Sequence, residues 1–345
     1  MISNQATAAE VCVSLLSRLE TVPTYTLEEV ESVIGSSKKY QDDRNSTWLD
    51  RNKCLCCHTT LPYILGRNLD QKSKNNFDRM KLLADKKIEN PNQAPWYNSD
   101  NAGRNSNPTE AVLNALTLVS YDVANNSQLS NSTLKSMDRI FENMDSNGKI
   151  HWLDYALEPF ESKKGELWGN SIAVLAIEMA RSHFNYQPNI NSYKILKNYV
   201  MSKKSQFKPH EKSVLLWANS LNKKNRVLSL QESNNYIKDI VLNQKMDGSW
   251  NQSSILGQGK NTSDAYSTSI ALIGLISSSK NETTEIKKGV LWLTENIKQI
   301  SDSNAWTELS MNRPTRSLNN SFATDAATSY ASLALKMYNE KFKTR

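Results

Sequence analysis

The chain has 345 residues, of which 38% are hydrophobic, and only 11 glycines and 9 prolines, a composition that favours a folded, mainly helical protein with a sizeable core. Its formal net charge is +7, but the lysines are scattered rather than gathered in one arm, so nucleic acid is not an expected partner. No stretch approaches the ~18 apolar residues of a membrane span and the first residues lack a secretory signal, which predicts a cytoplasmic protein without a transmembrane segment.

The N-terminal part of the chain is predicted to be separate from the main fold. Residues 1–46 are expected to form a helical extension, and residues 47–345 a single domain. The segment CLCCH, residues 54–58, lies near the start of that domain and holds three of the four cysteines. Cysteines crowded in this way do not resemble a secreted disulfide scaffold, and in a reducing compartment they favour a metal or reactive site.

Cys54, Cys57 and His58 in this segment are open to four interpretations. They complete the C-x-x-C-H pattern to which haem c is attached. On a helix they would share one face, where thiolates and an imidazole suit zinc. Cys57 beside His58 could be a nucleophile with a lowered pKa, or the thiols could simply pack while His58 hydrogen-bonds nearby backbone. Pro62 limits any helix that spans the segment.

Segments that open with a polar residue and continue with small and aliphatic residues recur about every 54 residues. Each offers an N-cap residue, and the small residues allow close packing on more than one side, as expected of inner helices. With CLCCHTTLPYILG as the first copy, their landmarks are Cys54, Glu110, Asn170, Glu211, Asp264 and Asp325.

More amphipathic segments lie between these copies, for example TLKSMDRIFENM and SNNYIKDIVLNQ, and are predicted to be outer helices. Three connections from outer to inner helices pass through a polar turn and end on Trp152, Trp250 or Trp306. Helical repeats of this size cannot bury their own apolar face, so they must stack as an open solenoid or a closed ring. Six units favour the closed ring.

The sequence QKMDGSW, Gln244–Trp250, resembles the QW motif of squalene-hopene and oxidosqualene cyclases. DGSW followed by TSDAYSTSIALIGL also resembles the repeat of protein prenyltransferase β subunits, and the CxxCHTxLPY segment resembles one in bacterial squalene-cyclase-like proteins. These resemblances imply an all-α protein, an (α/α)6 toroid whose inner helices surround an apolar cavity. They also imply an isoprenoid or lipid-like small molecule as its partner.

Parallel inner helices would place all their N-termini, and the landmark residues, on one rim, where helix dipoles favour anions. The predicted acids are Asp264, Asp325 and Glu110, each of which could instead be a simple helix cap. The predicted metal ligands are Cys54, Cys57, His58 and Asp264, the last because it resembles the zinc-binding aspartate of prenyltransferases. The predicted substrate-pocket residues are Trp168, Asn170, Trp217, Tyr266 and Tyr330.

The chain departs from the cyclase pattern, because it has neither a D-x-D-D motif nor a D-D-x-x-D box. The connection at residues 151–170 is rich in aromatic and acidic residues, which either line a pocket or cover the end of the ring. Three functions therefore stay open: an enzyme acting on an isoprenoid or lipid-like substrate, a haem-containing redox or sensor protein, and a non-catalytic toroid that binds a lipid or a protein.

Overall fold

The computed structural model describes residues 25–67, 69–90, 93–99, 104–125, 128–222, 226–308, 310–312 and 322–343. Thirteen α-helices, numbered α1 to α13 in chain order, account for most of these residues. Six of them are inner helices: α2 Thr60–Gly66, α4 Asn107–Asn125, α6 Glu166–Phe184, α8 Pro209–Leu221, α11 Ala265–Ser278 and α13 Phe322–Tyr338. Six are outer helices: α1 Leu27–Asn52, α3 Lys74–Glu89, α5 Asn131–Glu142, α7 Ile190–Ser202, α9 Leu230–Leu242 and α12 Thr284–Glu295.

The remaining elements are short and lie in the connections. Helix α10 spans Gln252–Leu256, and single 3₁₀ turns span Lys163–Gly165 and Lys204–Gln206. Three two-stranded antiparallel ribbons pair β1 Asn98–Ser99 with β2 Arg104–Asn105, β3 Trp250–Asn251 with β4 Ser263–Asp264, and β5 Lys298–Ile300 with β6 Ser303–Ala305.

The inner helices form a closed ring. Each packs against two others in the order α2, α4, α6, α8, α11 and α13, and α13 returns to α2. Outer helices cover the ring, so α11, for example, is buried along nearly its whole length, whereas α7 buries only one face. The predicted all-α class and (α/α)6 toroid are confirmed.

The first outer helix, α1, is continuous from Leu27 to Asn52 and begins with a capping box between Thr26 and Glu29. The boundary expected between residues 46 and 47 therefore falls inside a helix of the ring. Residues 1–24, which the same prediction assigned to a helical extension, lie outside the described residues.

The tryptophan connections fasten outer helices to inner ones. The Trp250 indole N–H donates to Ile240 O at the end of α9 (2.8 Å), and the Trp250 backbone N–H donates to Thr268 Oγ1 in α11 (3.0 Å). Trp306 repeats both contacts with α12 (2.8 Å) and α13 (3.2 Å). Trp152 departs from this pattern, because its indole N–H donates to a carbonyl within its own connection. The repeat seen in the sequence thus corresponds to a repeated pair of hydrogen bonds.

Ring closure depends on a close backbone contact between α2 and α13. A Cβ added at Gly66 would lie 2.1 Å from Ser329 O, a separation that no side chain can occupy. The first and last inner helices therefore meet because position 66 has no side chain. Within the described residues, no helix is both long enough and apolar enough to cross a membrane.

We expect Gly66→Ala to lower the free energy of unfolding by roughly 1–3 kcal/mol, because α2 and α13 must move apart. Gly35→Ala is the matched control, since a Cβ at Gly35 in α1 would meet nothing within 4 Å. That change should raise stability by up to about 1 kcal/mol through helix propensity. Urea denaturation of the three proteins measures both effects, and an unchanged midpoint for Gly66→Ala would contradict the contact.

Candidate functional site

The CLCCH segment lies at the start of α2 but is not helical, since α2 begins only at Thr60. Cys57 is fully buried, and His58 is packed against Trp48 and Phe322, with ring centres 4.7 and 4.3 Å apart. His58 Nδ1 lies 2.9 Å from Thr59 Oγ1. The single helical face on which the zinc interpretation was based is therefore absent from this segment.

Burial raises the pKa of the Cys57 thiol well above its usual value, and the Glu161 carboxylate raises it further. Cys54 has its pKa raised to about 12 by the same two causes. Both thiols are accordingly protonated at neutral pH, which disfavours a thiolate nucleophile in this arrangement.

The described residues contain no group of three or more His, Cys, Asp or Glu side chains arranged to hold a metal ion. Cys54, Cys57, His58 and Asp264 are therefore not grouped as metal ligands in this conformation, and the zinc site predicted from them stays a prediction. Haem attachment through Cys54, Cys57 and His58 stays a prediction. Elemental analysis of the purified protein tests for a bound metal, and its absorption spectrum tests for haem. Cys57→Ser is the control, since it should lose either group.

An aromatic cluster occupies the ring near the N-terminal ends of the inner helices. It comprises Phe160, Trp168, His210, Tyr266 and Tyr330, from the 151–165 connection and from α6, α8, α11 and α13. Trp168 stacks on His210 with ring centres 5.6 Å apart and an interplanar angle of 9°, and Tyr266 lies 5.7 Å from Tyr330 and 5.5 Å from Phe160. Three of the predicted pocket residues, Trp168, Tyr266 and Tyr330, are therefore brought together.

Two polar atoms in the aromatic cluster have no hydrogen-bond partner among the described residues, Trp168 Nε1 and Tyr330 OH. Each side chain is nearly fully buried. A buried polar group without a partner costs about 1–3 kcal/mol, so two in one cluster indicate a place where a ligand or water can be bound.

A chain of hydrogen bonds runs through the aromatic cluster from a carboxylate to a phenol. Glu211 Oε1 lies 3.3 Å from His210 Nδ1, and His210 Nε2 lies 2.8 Å from Tyr266 OH. All three side chains are buried. Glu211 and Tyr266 were identified from the sequence, but His210 was missed, although it directly precedes Glu211.

Asp264 precedes α11 as its N-cap, and Oδ1 accepts the Ser267 backbone N–H at 2.7 Å. Burial raises the pKa of Asp264 to about 7, outweighing the backbone N–H groups of Ser267 and Gln252, which lower it. Oδ2 is buried and has no hydrogen-bond partner among the described residues. Asp264 is therefore a carboxyl group that caps its helix with one oxygen, while the other oxygen is not used by any hydrogen bond among the described residues.

A second carboxyl group, that of Glu308, lies near Asp264 and was not identified from the sequence. Glu308 is 9% exposed, and its Oε1 accepts a hydrogen bond from Gln252 Nε2 at 3.3 Å. The Gln252 backbone N–H also lowers the pKa of the Asp264 carboxyl, so Gln252 lies between the two acids. No sequence pattern around Glu308 indicated that it would lie near Asp264, because their proximity depends on how the ribbon of β3 and β4 folds.

Asp325 does not share these properties, because both its oxygens are occupied. Arg44 Nε and Nη2 donate to Oδ1 and Oδ2 at 2.7 and 2.9 Å, and Tyr40 OH and Thr59 Oγ1 add bonds of 3.0 and 2.8 Å. This bidentate pair joins α1 to α13. The geometry gives Asp325 a structural role at the ring seam.

Glu110 is likewise engaged in holding the fold. Its Oε2 forms an ion pair with Lys87 Nζ at 2.8 Å, and Oε1 accepts the Trp96 backbone N–H at 2.6 Å and the Ser106 hydroxyl. Asn170 is also structural, because its side-chain amide makes two 2.9 Å bonds to the backbone of Ile150. Neither side chain reaches the aromatic cluster through any of these contacts.

Trp217, the remaining predicted pocket residue, lies at the other end of the ring. There the C-terminal ends of all six inner helices surround an open bowl of about 890 Å³. Its lining combines apolar side chains, among them Phe77, Val123, Met179 and Trp217, with charged ones, among them Arg67, Lys336 and Glu340. The residues expected to form one pocket are thus divided between two ends of the toroid.

No protein-family model and no curated protein matches the sequence. Solved structures do match in fold. An unsaturated glucuronyl hydrolase specific for heparin has a TM-score of 0.58 and 11% identity, over 91% of this chain and 97% of that one. An Asp→Asn variant of the unsaturated glucuronyl hydrolase from Streptococcus agalactiae has a TM-score of 0.56 and 12% identity, over 92% of each chain.

A type II terpene cyclase from Scytonema is also similar, with a TM-score of 0.56 and 9% identity, over 90% of this chain and 98% of that one. It too is an Asp→Asn variant, in complex with its substrate geranylgeranyl dihydroxybenzoate. At these identities the likeness shows the α/α toroid fold. The toroids that this chain resembles are enzymes of at least two reaction classes.

We expect the stability of the wild type, relative to Asp264→Asn, to fall as the pH rises from about 4 to about 7. The reason is that the folded state keeps a proton on Asp264 in this range, whereas the unfolded chain has lost it. The side-chain amide of the variant would keep the oxygen that caps α11. Denaturation at pH 5, 6, 7 and 8 measures the difference in the free energy of unfolding between the two proteins. A difference that does not change with pH would contradict the raised pKa.

Proposed function

We propose that this chain is a single-toroid enzyme that protonates an unsaturated, apolar small molecule of the isoprenoid or lipid-like class, with Asp264 as the acid. One observation carries this proposal: the buried Asp264 carboxyl has a pKa near 7 and an unpartnered Oδ2. A general acid works best when its pKa lies close to the working pH. Asp264 retains a proton at neutral pH that an ordinary aspartate would have lost.

The aromatic cluster can stabilise the carbocation that protonation of an alkene would form. Transfer of the Asp264 proton to an alkene carbon forms a C–H bond and leaves a carbocation, and the faces of Phe160, Trp168, Tyr266 and Tyr330 can stabilise it. A second alkene of the same molecule then attacks the cation, and a proton lost from an adjacent carbon returns through water to the Asp264 carboxylate, which leaves a neutral product and restores the acid. The negative charge of Asp264 contributes to the raised pKa of Tyr266, which supports their proximity.

The fold supports this class of chemistry without specifying it. A terpene cyclase with a geranylgeranyl substrate has a similar toroid, but so do two glucuronyl hydrolases. The preference for an apolar substrate comes from the aromatic cluster, whose Tyr266 lies close enough to Asp264 for the two groups to interact.

We expect Asp264→Asn to abolish product formation from a panel of linear isoprenoids, by about 10²-fold or more, because the amide has no acidic proton to donate. Asp247→Asn is the matched control, since Asp247 lies in the same repeat and its pKa is lowered by hydrogen bonds from Ser249 and Ser263. Wild-type activity should fall as the pH rises through about 7. Full activity in Asp264→Asn, measured by mass spectrometry of products, would refute the proposal.

A second candidate function, non-catalytic lipid binding, is favoured by the bowl. Its volume of about 890 Å³ and its combination of apolar and charged lining residues suit a lipid-like molecule with a polar head, and it lies at the opposite end of the ring from Asp264. The Ser120 hydroxyl is buried in this lining without a hydrogen-bond partner among the described residues, which suits a ligand with one polar group.

We expect Val123→Arg to weaken binding of a long-chain alcohol at least about tenfold, because it introduces a charge into the bowl. Leu242→Arg is the control, since Leu242 is 72% exposed and does not line the bowl. Quenching of tryptophan fluorescence measures the affinity, because Trp217 lies in the lining. Equal affinity for the two variants would place the binding elsewhere.

A further inference from the structure

A second concave site lies beside the starts of α6 and α8 and has a volume of about 810 Å³. Its walls come from the turn after α5, the 3₁₀ turn before α6, the end of α7 and the residues that precede α8. Five of its lining residues are lysines: Lys149, Lys163, Lys164, Lys203 and Lys208. We refer to this site as the lysine cleft.

Lysines outnumber acidic residues in the lining of the lysine cleft, by five to three, and most of the lysines are not paired with a carboxylate in the part of the chain that the structure describes. Lys149 forms an ion pair with Glu166, at 2.9 Å, but the other four lysines have no carboxylate within 4 Å among the described residues. Lys164 donates to a neutral side-chain amide instead, and the Lys203 ammonium lies 5.6 Å from the centre of the Tyr199 ring. Four like charges on one concave wall repel one another unless a counter-ion is bound.

Besides Glu166, which pairs with Lys149, the acidic residues of the cleft accept hydrogen bonds from backbone groups. The Asp145 carboxylate accepts the backbone N–H groups of Asn147 and Lys149 at 2.9 and 3.0 Å. Glu211 accepts the Lys208 backbone N–H at 2.8 Å. These contacts close a turn and a helix cap but do not remove the charge of the carboxylates, so the five lysines and three acidic residues of the lining leave a formal net charge of +2.

From this arrangement we propose that the lysine cleft binds a small organic anion that carries two or more phosphate or sulfate groups. Several ammonium groups spread over a cleft of this volume match several oxyanions better than one. The N-terminal ends of α6 and α8 add positive potential on the same side. Leu167, Tyr199 and Leu256 provide a partly apolar wall for the organic part of the ligand.

The lysine cleft is distinct from Asp264, which is not among its lining residues, but it adjoins the aromatic cluster. Glu211 lines the cleft and also lies next to His210, which contacts Tyr266. An anion in the cleft would therefore lie one side chain away from the centre of the ring. Binding there is independent of whether Asp264 acts as an acid.

Titration calorimetry at low salt with inorganic pyrophosphate and with a sulfated heparin disaccharide tests the proposal. We expect at least one of them to bind the wild type, with an affinity that falls as salt is added. Lys163→Gln/Lys203→Gln should weaken that binding about three- to tenfold. Lys194→Gln/Lys238→Gln is the charge-matched control on the exposed faces of α7 and α9, and it should bind as the wild type does.

Binding of pyrophosphate alone would support a phosphorylated ligand, and binding of the disaccharide alone a sulfated saccharide. Absence of binding by both probes, or equal losses in the two double variants, would overturn the proposal. Thermal unfolding of each variant checks that it is folded. Lys163→Gln alone replaces the cleft variant if the double substitution is destabilising.

Discussion

Closure of the ring between α2 and α13 is the constraint on which the rest of the structure depends. Two features make it possible: the missing side chain at Gly66 next to Ser329, and the bidentate pair of Arg44 and Asp325. Both join the beginning of the described chain to its end. Without them the six hairpins would be an open array, and neither the aromatic cluster nor the bowl would have a complete wall.

The fold could be predicted from the sequence because its information is local and repeated. The caps, the small residues of the inner helices and the tryptophan connections recur in several copies, so one weak copy does not change the conclusion. Trp250 and Trp306 then make equivalent bonds in two repeats, as their sequence positions suggest. Three of the five predicted pocket residues, Trp168, Tyr266 and Tyr330, lie in one cluster, and their role as a substrate pocket stays a prediction.

The roles of individual acids could not be predicted in the same way, because each depends on a partner distant in the sequence. Asp264 and Asp325 occupy similar positions before or within the first turn of their helices. Arg44, 281 positions from Asp325, forms an ion pair with it, whereas the nearby charge of Lys245 only partly offsets the effect of burial on the pKa of Asp264. The C-x-x-C-H pattern was similarly ambiguous, since its interpretation as a zinc site required a helix that begins only at Thr60.

The two oxygens of Asp264 differ in their surroundings, since one caps α11 and the other is buried without a hydrogen-bond partner among the described residues. An asparagine would preserve the first contact and remove the acidic proton. If chemistry resides at Asp264, an active toroid and an inactive one could therefore differ by one side-chain group while sharing the same backbone. Sorting such proteins into enzymes and pure binding proteins would then require the identity of one helix cap rather than a comparison of folds.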